Sequence, residues 1–130
     1  MNRDVRVAKP DDSVQHAARL MREEDTGLLP VGEGDRLVGM VTDRDVTVRP
    51  VAEGGDPART KVRDALTQDV QYVFEDETIE RVAENMAEHQ VRRLPVVNRR
   101  KRLVGMLSIG DVSRHGRHQE ASRAYGAVAA

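Results

Sequence analysis

An internal repeat constrains the fold of this 130-residue chain more than any other feature. The segment "DVRVAKPDDSVQHAARLMREEDTGLLPV" from Asp4 aligns with "DVQYVFEDETIERVAENMAEHQVRRLPV" from Asp69, with nine identical positions. After a slip of one residue, "RLVGMVTDRDV" from Arg36 aligns with "RLVGMLSIGDV" from Arg102, with seven identical positions out of eleven. This self-similarity predicts two copies of one structural unit that share a core, because neither copy buries enough surface alone.

Hydrophobic spacing predicts the elements of each copy. Apolar residues recur at helical spacing after predicted N-caps at Ser13 and Thr78. Apolar flanks around the polar turns "GEGD" and "NRRK" predict one β-hairpin per copy. The predicted hairpin strands are 28–31 with 37–41, and 94–97 with 103–107. A short strand, 5–8 or 70–74, is expected before the first helix of each copy, and a second helix is expected after Asp45 or its counterpart.

The predicted fold class is therefore mixed α/β (α+β), with two β-α-β-β-α repeats packed through their sheets around a pseudo-twofold axis. The predicted boundaries are 1–61 for the first repeat with its linker, 62–116 for the second repeat and 117–130 for a C-terminal tail. Pro50 falls within the second helix of the first repeat, where it removes a backbone donor and crowds the preceding turn. We expect that helix to kink or stop near Arg49.

Composition excludes several classes of function. The chain has 21 Lys and Arg against 22 Asp and Glu, and its net charge of −1 gives no general attraction to nucleic acid or to an anionic membrane. Two tyrosines and one phenylalanine provide few platforms for stacking bases. The lack of cysteine excludes disulfides and thiolate chemistry. No apolar run reaches membrane-spanning length and no apolar leader is present, so we expect a cytoplasmic location.

The turn after each hairpin keeps the same chemistry in both copies. Thr42 precedes Asp45 by three residues, and Ser108 precedes Asp111 by three residues. One interpretation is a helix start, where a hydroxyl caps the backbone and a carboxylate complements the helix dipole. The other is a ligand clamp, in which the hydroxyl and the carboxylate hold a polar group between them.

Metal, catalytic and nucleic-acid sites are weaker interpretations. Asp43 with Asp45 would suit Mg²⁺ or acid–base catalysis, but the second copy has Ile109 in place of Asp43. His115 and His118 lack an evident set of further ligands. The basic loop "NRRKR" is typical of a solvated hairpin tip. The chain has no P-loop and no nucleophile motif, so we predict that it is not an enzyme. We also predict no metal site, and neither nucleic acid nor a membrane as partner.

The repeated motifs resemble those of tandem CBS-domain pairs, also called Bateman modules. The resemblance rests on "LLPV" with "RRLPV" and on "GMVTDRD" with "GMLSIGD", in the same order across residues 1–116. With no other domain in the chain, it is similar to the stand-alone bacterial two-repeat proteins, including the hypoxic-response type. Because this chain has no cysteine, any disulfide-based behaviour of that type does not carry over.

The resemblance implies binding of AMP, ADP, ATP or an S-adenosylmethionine-like ligand in the cleft between the repeats. It places the ribose on the hydroxyl and carboxylate of each turn, namely Thr42, Asp45, Ser108 and Asp111. It places the adenine near Val5, Val7, Gly27, Leu28, Pro30, Val70, Tyr72, Val91 and Pro95. The candidates for phosphate contact are Arg44, Arg92, Arg93, Arg114 and His115. The first repeat has Gly27 and Leu28 at the positions of Arg92 and Arg93. We therefore expect unequal sites, of which at most one binds strongly.

The leading expectation is a regulatory module that binds an adenine nucleotide and requires no cofactor. Binding would alter a homodimer or the surface offered to an unidentified protein partner, provided that the ligand prefers one arrangement over the other. The alternative is a ligand-independent interaction or dimerisation module whose clefts are vestigial.

Overall fold

The computed structural model describes residues 1–67 and 70–115, apart from the side chain of His115. Its elements are α1 (Val14–Glu24), β1 (Leu28–Glu33), β2 (Arg36–Thr42), α2 (Asp43–Glu53), a 3₁₀ turn (Val62–Asp64), β3 (Val73–Phe74), α3 (Ile79–His89), β4 (Arg93–Val97), β5 (Leu103–Ser108) and α4 (Ile109–His115). This confirms the predicted mixed α/β class. No helix in these ranges is long and apolar enough to cross a membrane. The tail predicted at 117–130 lies outside the described residues.

The chain divides into two compact units. The first unit is Arg6–Val70, and the second unit is Met1–Val5 with the described residues from Gln71 onward. Each unit has its own apolar core, built from one helical pair and one hairpin. The repeat boundaries at 1–61 and 62–116 follow the two sequence copies and stay predictions. The packing of one repeat on the other also stays a prediction.

An exchange of short segments explains where the units divide. Asn2 makes two backbone hydrogen bonds of 2.9 Å with Met106, which adds the start of the chain to the hairpin of the second unit. Thr67 makes two backbone hydrogen bonds of 3.0 and 2.8 Å with Met40 in the first unit. Asn2 and Thr67 are equivalent in the repeat, as are Met40 and Met106. Both hairpins therefore gain a bridge from the segment that opens the other repeat.

The first unit packs α1 and α2 with the antiparallel hairpin β1–β2. The helix α1 begins as predicted, because the Ser13 side chain accepts the His16 backbone N–H at 3.0 Å. Its apolar face is buried in the core. The expected strand 5–8 is reduced to a single parallel bridge between Ala8 and Val31, since hydrogen bonds join only Ala8 to the β1 backbone.

The second unit repeats this arrangement with a three-stranded sheet in the order β3-β4-β5. Thr78 caps α3 as predicted by accepting the Arg81 backbone N–H at 3.2 Å. The strand β3 runs parallel to β4, and β5 is antiparallel to β4. The strand expected at 70–74 is shorter than predicted, because its ladder covers only Val73 and Phe74.

The helix α2 departs from the sequence prediction at both ends. It begins at Asp43 rather than after Asp45, because Thr42 is already the cap. It also continues through Pro50 to Glu53, so of the expected kink or stop near Arg49, the stop is wrong. The Pro50 ring is fully buried, and this packing offsets the backbone hydrogen bond that proline cannot make.

Candidate ligand-binding turns

The first candidate site is the turn from Thr42 to Asp45, called here the Thr42 turn, where β2 passes directly into α2. The Thr42 hydroxyl accepts the Asp45 backbone N–H at 3.2 Å, and Asp45 Oδ2 accepts the Thr42 backbone N–H at 3.0 Å. This reciprocal pair is a capping box, which satisfies donors that a helix start leaves unpaired. Within the described residues, Asp45 Oδ1 has no hydrogen-bond or ion-pair partner. The turn therefore keeps one carboxylate oxygen available.

The second candidate site is the turn from Ser108 to Asp111, called here the Ser108 turn, where β5 passes into α4. Asp111 Oδ2 accepts the Ser108 backbone N–H at 2.9 Å and the Ser108 hydroxyl at 3.1 Å. The same hydroxyl accepts the Asp111 backbone N–H at 3.1 Å. Asp111 Oδ1 accepts a hydrogen bond from Arg114 and lies 3.6 Å from the Met1 amino group. Both carboxylate oxygens of Asp111 are therefore in use.

The electrostatics of Asp111 follow from these partners. Burial by itself would raise the pKa of the Asp111 carboxyl. The hydrogen bonds from Ser108, the positive charge of the Met1 ammonium and the hydrogen bond from Arg114 together outweigh burial and hold the pKa of Asp111 below its ordinary value of 3.8. Asp111 is 9% exposed and is a buried charged residue of the described chain. The Ser108 turn thus holds an ionised carboxylate that its own surroundings already neutralise.

The glycine of each turn motif has a structural role that the sequence interpretation did not assign. A Cβ added at Gly39 would lie 2.7 Å from the Thr67 carbonyl oxygen, and one added at Gly105 would lie 2.7 Å from the Asn2 carbonyl oxygen. Real Cβ atoms do not approach backbone oxygen so closely, so glycine is required where the exchanged segment crosses the hairpin. The repeated "VGM" was the available signal, but it does not reveal which segment approaches.

Asp43 is a second feature that the sequence left unexplained. Its backbone N–H donates to the Gly27 carbonyl at 2.8 Å, and a Cβ added at Gly27 would lie 2.8 Å from Asp43 Oδ2. The equivalent backbone bond in the second unit joins Ile109 N–H to the Arg92 carbonyl at 2.8 Å. Glycine at position 27 leaves room for the Asp43 carboxylate in the conformation that the structure shows. The second unit keeps the backbone bond with Ile109, a residue without a carboxylate, at this position.

The structure brings two predicted adenine residues to the Thr42 turn. Gly27 contacts it through the bond to Asp43, and Leu28 pairs with Thr42 across the hairpin. Pro30 is buried two positions farther along β1, and Val7 lies beside that strand near Gly32. Val70 also falls within the first unit, but the structure records no contact between it and this turn.

The predicted adenine residues of the second unit are more scattered. Val91 immediately precedes the segment that pairs with the Ser108 turn, and its backbone N–H bonds to α3. Pro95 is buried opposite Met106. Tyr72 stacks edge-on against Phe74 with ring centroids 5.7 Å apart, which fixes it beside β3. Val5 is half-buried in the short segment that joins this unit.

The predicted phosphate residues fall in different environments. Arg44 is exposed, and its guanidinium has no partner among residues 1–67 and 70–115. Arg92 and Arg93 are exposed beside the Ser108 turn, where Arg93 pairs with Ser108 across the sheet. Arg114 bonds to Asp111 instead of lying free. The side chain of His115 lies outside the described residues. In the described part of the chain, no group of three His, Asp or Glu residues could hold a metal ion.

Comparison with known proteins identifies the architecture. The family model for the CBS domain matches residues 1–50 and 62–118. The chain belongs to the CBS-domain family. CBS pairs are regulatory modules, and the resemblance drawn from the repeated turns is confirmed.

The similar proteins include both stand-alone pairs and enzymes. Hypoxic response protein 1 of Mycobacterium tuberculosis is 39% identical over 88% of this chain and 80% of its own length. Its crystal structure with two coordinated zinc ions matches with a TM-score of 0.78 at 39% identity, over 88% of this chain and 93% of that chain. Inosine-5′-monophosphate dehydrogenase of Korarchaeum cryptofilum is 39% identical over 93% of this chain but only 24% of its own length. Similarity to that enzyme is therefore limited to its CBS part.

One solved relative carries a nucleotide. CBSX2 of Arabidopsis thaliana has been solved in complex with AMP, and that structure matches with a TM-score of 0.73 at 31% identity. The match covers 85% of this chain and 86% of CBSX2. Some CBS pairs therefore bind AMP.

Proposed function

We propose that this chain is a regulatory module that binds an adenosine-containing ligand at its hydroxyl–carboxylate turns. The observation that carries the proposal is the carboxylate of Asp45, which sits at a helix start with one oxygen unpartnered in the described chain. The AMP complex of CBSX2 supports the choice of ligand class, which comprises AMP, ADP, ATP and S-adenosylmethionine-like molecules.

The chemistry of the turn suits a ribose. A ribose presents two neighbouring hydroxyls that can both donate, and a carboxylate accepts hydrogen bonds on both of its oxygens. Each charge-assisted bond contributes about 1.5–3 kcal/mol when it is shielded from water. The Thr42 hydroxyl uses a lone pair for the Asp45 backbone N–H, so its own proton is free to donate to the sugar. Gly27 and Leu28 at the adjacent strand supply backbone groups and an apolar surface for the base.

Regulation follows if the ligand binds one arrangement of the protein better than another. A ligand shifts an equilibrium only by its difference in affinity for the two states. The proposed output is a change in a homodimer or in the surface shown to a protein partner, in the cytoplasm. The partner's identity is not encoded in any feature of the turns.

Isothermal titration of the full chain with AMP, ATP and S-adenosylmethionine tests the proposal. We expect one of them to bind with a Kd below about 1 mM, which corresponds to roughly −4.1 kcal/mol. Asp45→Asn keeps an acceptor for the Thr42 cap but loses the ionised carboxylate, so it should weaken binding by roughly 10- to 100-fold at its site. The absence of binding by all three ligands would refute the proposal.

A specific observation also favours the ligand-independent alternative. Both turns form helix caps with their own hydroxyl and carboxylate, and capping alone would explain why these two groups recur. In that case the chain acts as an interaction module with vestigial clefts. Sedimentation analysis with and without 5 mM AMP separates the two functions, since the alternative requires an association state that is indifferent to nucleotide.

A further inference from the structure

The two turns differ in which carboxylate oxygens remain available. In the Ser108 turn, Oδ2 of Asp111 accepts two hydrogen bonds from Ser108, and Oδ1 accepts one from Arg114. In the Thr42 turn, Asp45 makes one hydrogen bond through Oδ2, and no cation lies within ion-pair distance in the described residues. A ribose hydroxyl approaching Asp111 would compete with an existing charged donor, whereas one approaching Asp45 would not.

Arg114 can donate a hydrogen bond to Asp111 because of its position in the helix. Side chains in an α-helix point back toward its N-terminus, so a long residue three positions after a carboxylate lies over it. The equivalent of Arg114 in the first repeat is Val48, which is 49% exposed and carries no charge. The difference between the turns therefore comes from groups outside the repeated hydroxyl–carboxylate pattern, namely Arg114 and the Met1 ammonium, which lies 3.6 Å from Asp111 Oδ1.

The two hydroxyls show the same contrast. Ser108 donates its hydroxyl proton to Asp111, so the hydroxyl both donates and accepts within the turn. The Thr42 hydroxyl accepts from the Asp45 N–H, and none of the hydrogen bonds recorded for Thr42 uses its proton. The Ser108 turn is internally complete, while the Thr42 turn retains one donor and one acceptor for a ligand.

We infer that the Thr42 turn is the ligand-accepting turn of this chain, and that Arg114 closes the Ser108 turn by acting as an internal counter-ion of Asp111. This inference rests on the proposed function. It assigns to Arg114 a role in selecting the site rather than in contacting phosphate. It also predicts that exchanging Val48 and Arg114 would transfer ligand binding from the Thr42 turn to the Ser108 turn.

Calorimetric stoichiometry with adenosine and with AMP tests this assignment. The wild-type chain should bind one ligand per chain, and Asp45→Asn should weaken that event at least 10-fold. Arg114→Val should produce a second event, giving two ligands per chain, and adding Asp111→Asn should remove only this second event. Val48→Arg should weaken the single wild-type event at least 10-fold. Thermal unfolding of every variant establishes that it is folded before titration.

Two matched controls separate the inference from a general effect of charge. Arg100→Val removes the same charge from an exposed hairpin tip, and Val51→Arg adds the same charge to an exposed position of α2, where Val51 is 72% exposed. Neither should change the stoichiometry. A wild-type event that depends on Asp111, or an Arg114→Val chain that still binds one ligand, would overturn the inference while leaving the proposed function intact. Failure of the wild type and all variants to bind either probe would overturn both.

Discussion

The Thr42 turn and the Ser108 turn have the same hydroxyl and carboxylate at equivalent positions, yet they use the carboxylate differently. Asp45 closes a capping box and keeps one oxygen unpartnered in the described chain, whereas Asp111 is buried with both oxygens engaged. One residue that distinguishes them lies one helical turn later, where the first repeat has Val48 and the second has Arg114. A repeated motif therefore fixes the local backbone, and its neighbours decide whether the motif can accept a ligand.

The largest expected effect is a loss of stability when either motif glycine, Gly39 or its equivalent Gly105, is replaced. Gly39→Ala and Gly105→Ala should each lower the free energy of unfolding by about 1–3 kcal/mol, because the new methyl meets a backbone oxygen that cannot rotate away. Urea denaturation measures the change. Gly27→Ala is the matched control, since its nearest atoms belong to the exposed Asp43 carboxylate, which can rotate. If Gly39→Ala lowered the free energy of unfolding no more than Gly27→Ala, this would contradict the close contact between the Thr67 segment and the hairpin.

The next effect distinguishes the two carboxylates by pH. Asp111→Asn should cost about 1–2 kcal/mol at pH 7, because charge-assisted hydrogen bonds are lost. The folded pKa of Asp111 is below 3.8, so the stabilisation from its ionised form is complete well above pH 3.8 and is lost as pH falls through the folded pKa. Wild type and Asp111→Asn should therefore converge in acid when thermal unfolding is followed from pH 7 to pH 2. A difference that stayed constant over this range would contradict the assigned ionisation.

A smaller effect should appear at the helix caps. Thr42→Ala and Ser108→Ala should each lower stability by about 1 kcal/mol, with the larger loss at Ser108 because its hydroxyl both donates and accepts. Thermal denaturation with Thr42→Ser as the control isolates the hydroxyl from the methyl group. Equal losses at the two positions would show that the second hydrogen bond of Ser108 contributes nothing to folding.

The smallest expected effect concerns Asp11 and Asp76, which are equivalent in the repeat but form ion pairs with different arginines in the two units. Asp11 bonds to Arg63 near the 3₁₀ turn, while its equivalent Asp76 bonds to Arg99, whose guanidinium also lies 4.4 Å from the Phe74 ring centroid. Because Arg99 is mostly exposed, Arg99→Ala should cost only about 0.5 kcal/mol. Repeating the measurement in 1 M NaCl should reduce the ion-pair part but retain the ring contact. A cost that vanished entirely in salt would show that the ring contact does not stabilise this unit.

Much of the fold was readable from the sequence because it depends on local rules. The N-caps at Ser13 and Thr78, the helices after them and both hairpins follow from spacing and turn chemistry. The start of α2 at Asp43 was misplaced because a capping hydroxyl precedes the helix by one residue. The continuation of α2 through Pro50 is not predictable from the sequence, because the burial of Pro50, which offsets the lost backbone bond, is a tertiary property.

The candidate site was predicted only in part. Thr42 with Asp45 and Ser108 with Asp111 come together in the structure, because three residues span the strand-to-helix turn. The resemblance places Arg114 near phosphate. Helical spacing brings Arg114 within reach of Asp111, but spacing alone does not show that it pairs there rather than extending into solvent. The binding roles of the other predicted site residues stay proposals.

The sequence by itself determined that two similar units would form, the order of their helices and hairpins, and that a hydroxyl and a carboxylate would meet at each turn. These features depend on residues a few positions apart, which the chain places together through helix and strand geometry alone. Only the tertiary structure decided that residues 1–5 join the second unit, that Gly39 and Gly105 accommodate the exchanged segments, and that Arg114 neutralises Asp111. Those outcomes depend on distant backbone contacts and on the choice of one side-chain conformation, which sequence spacing does not encode.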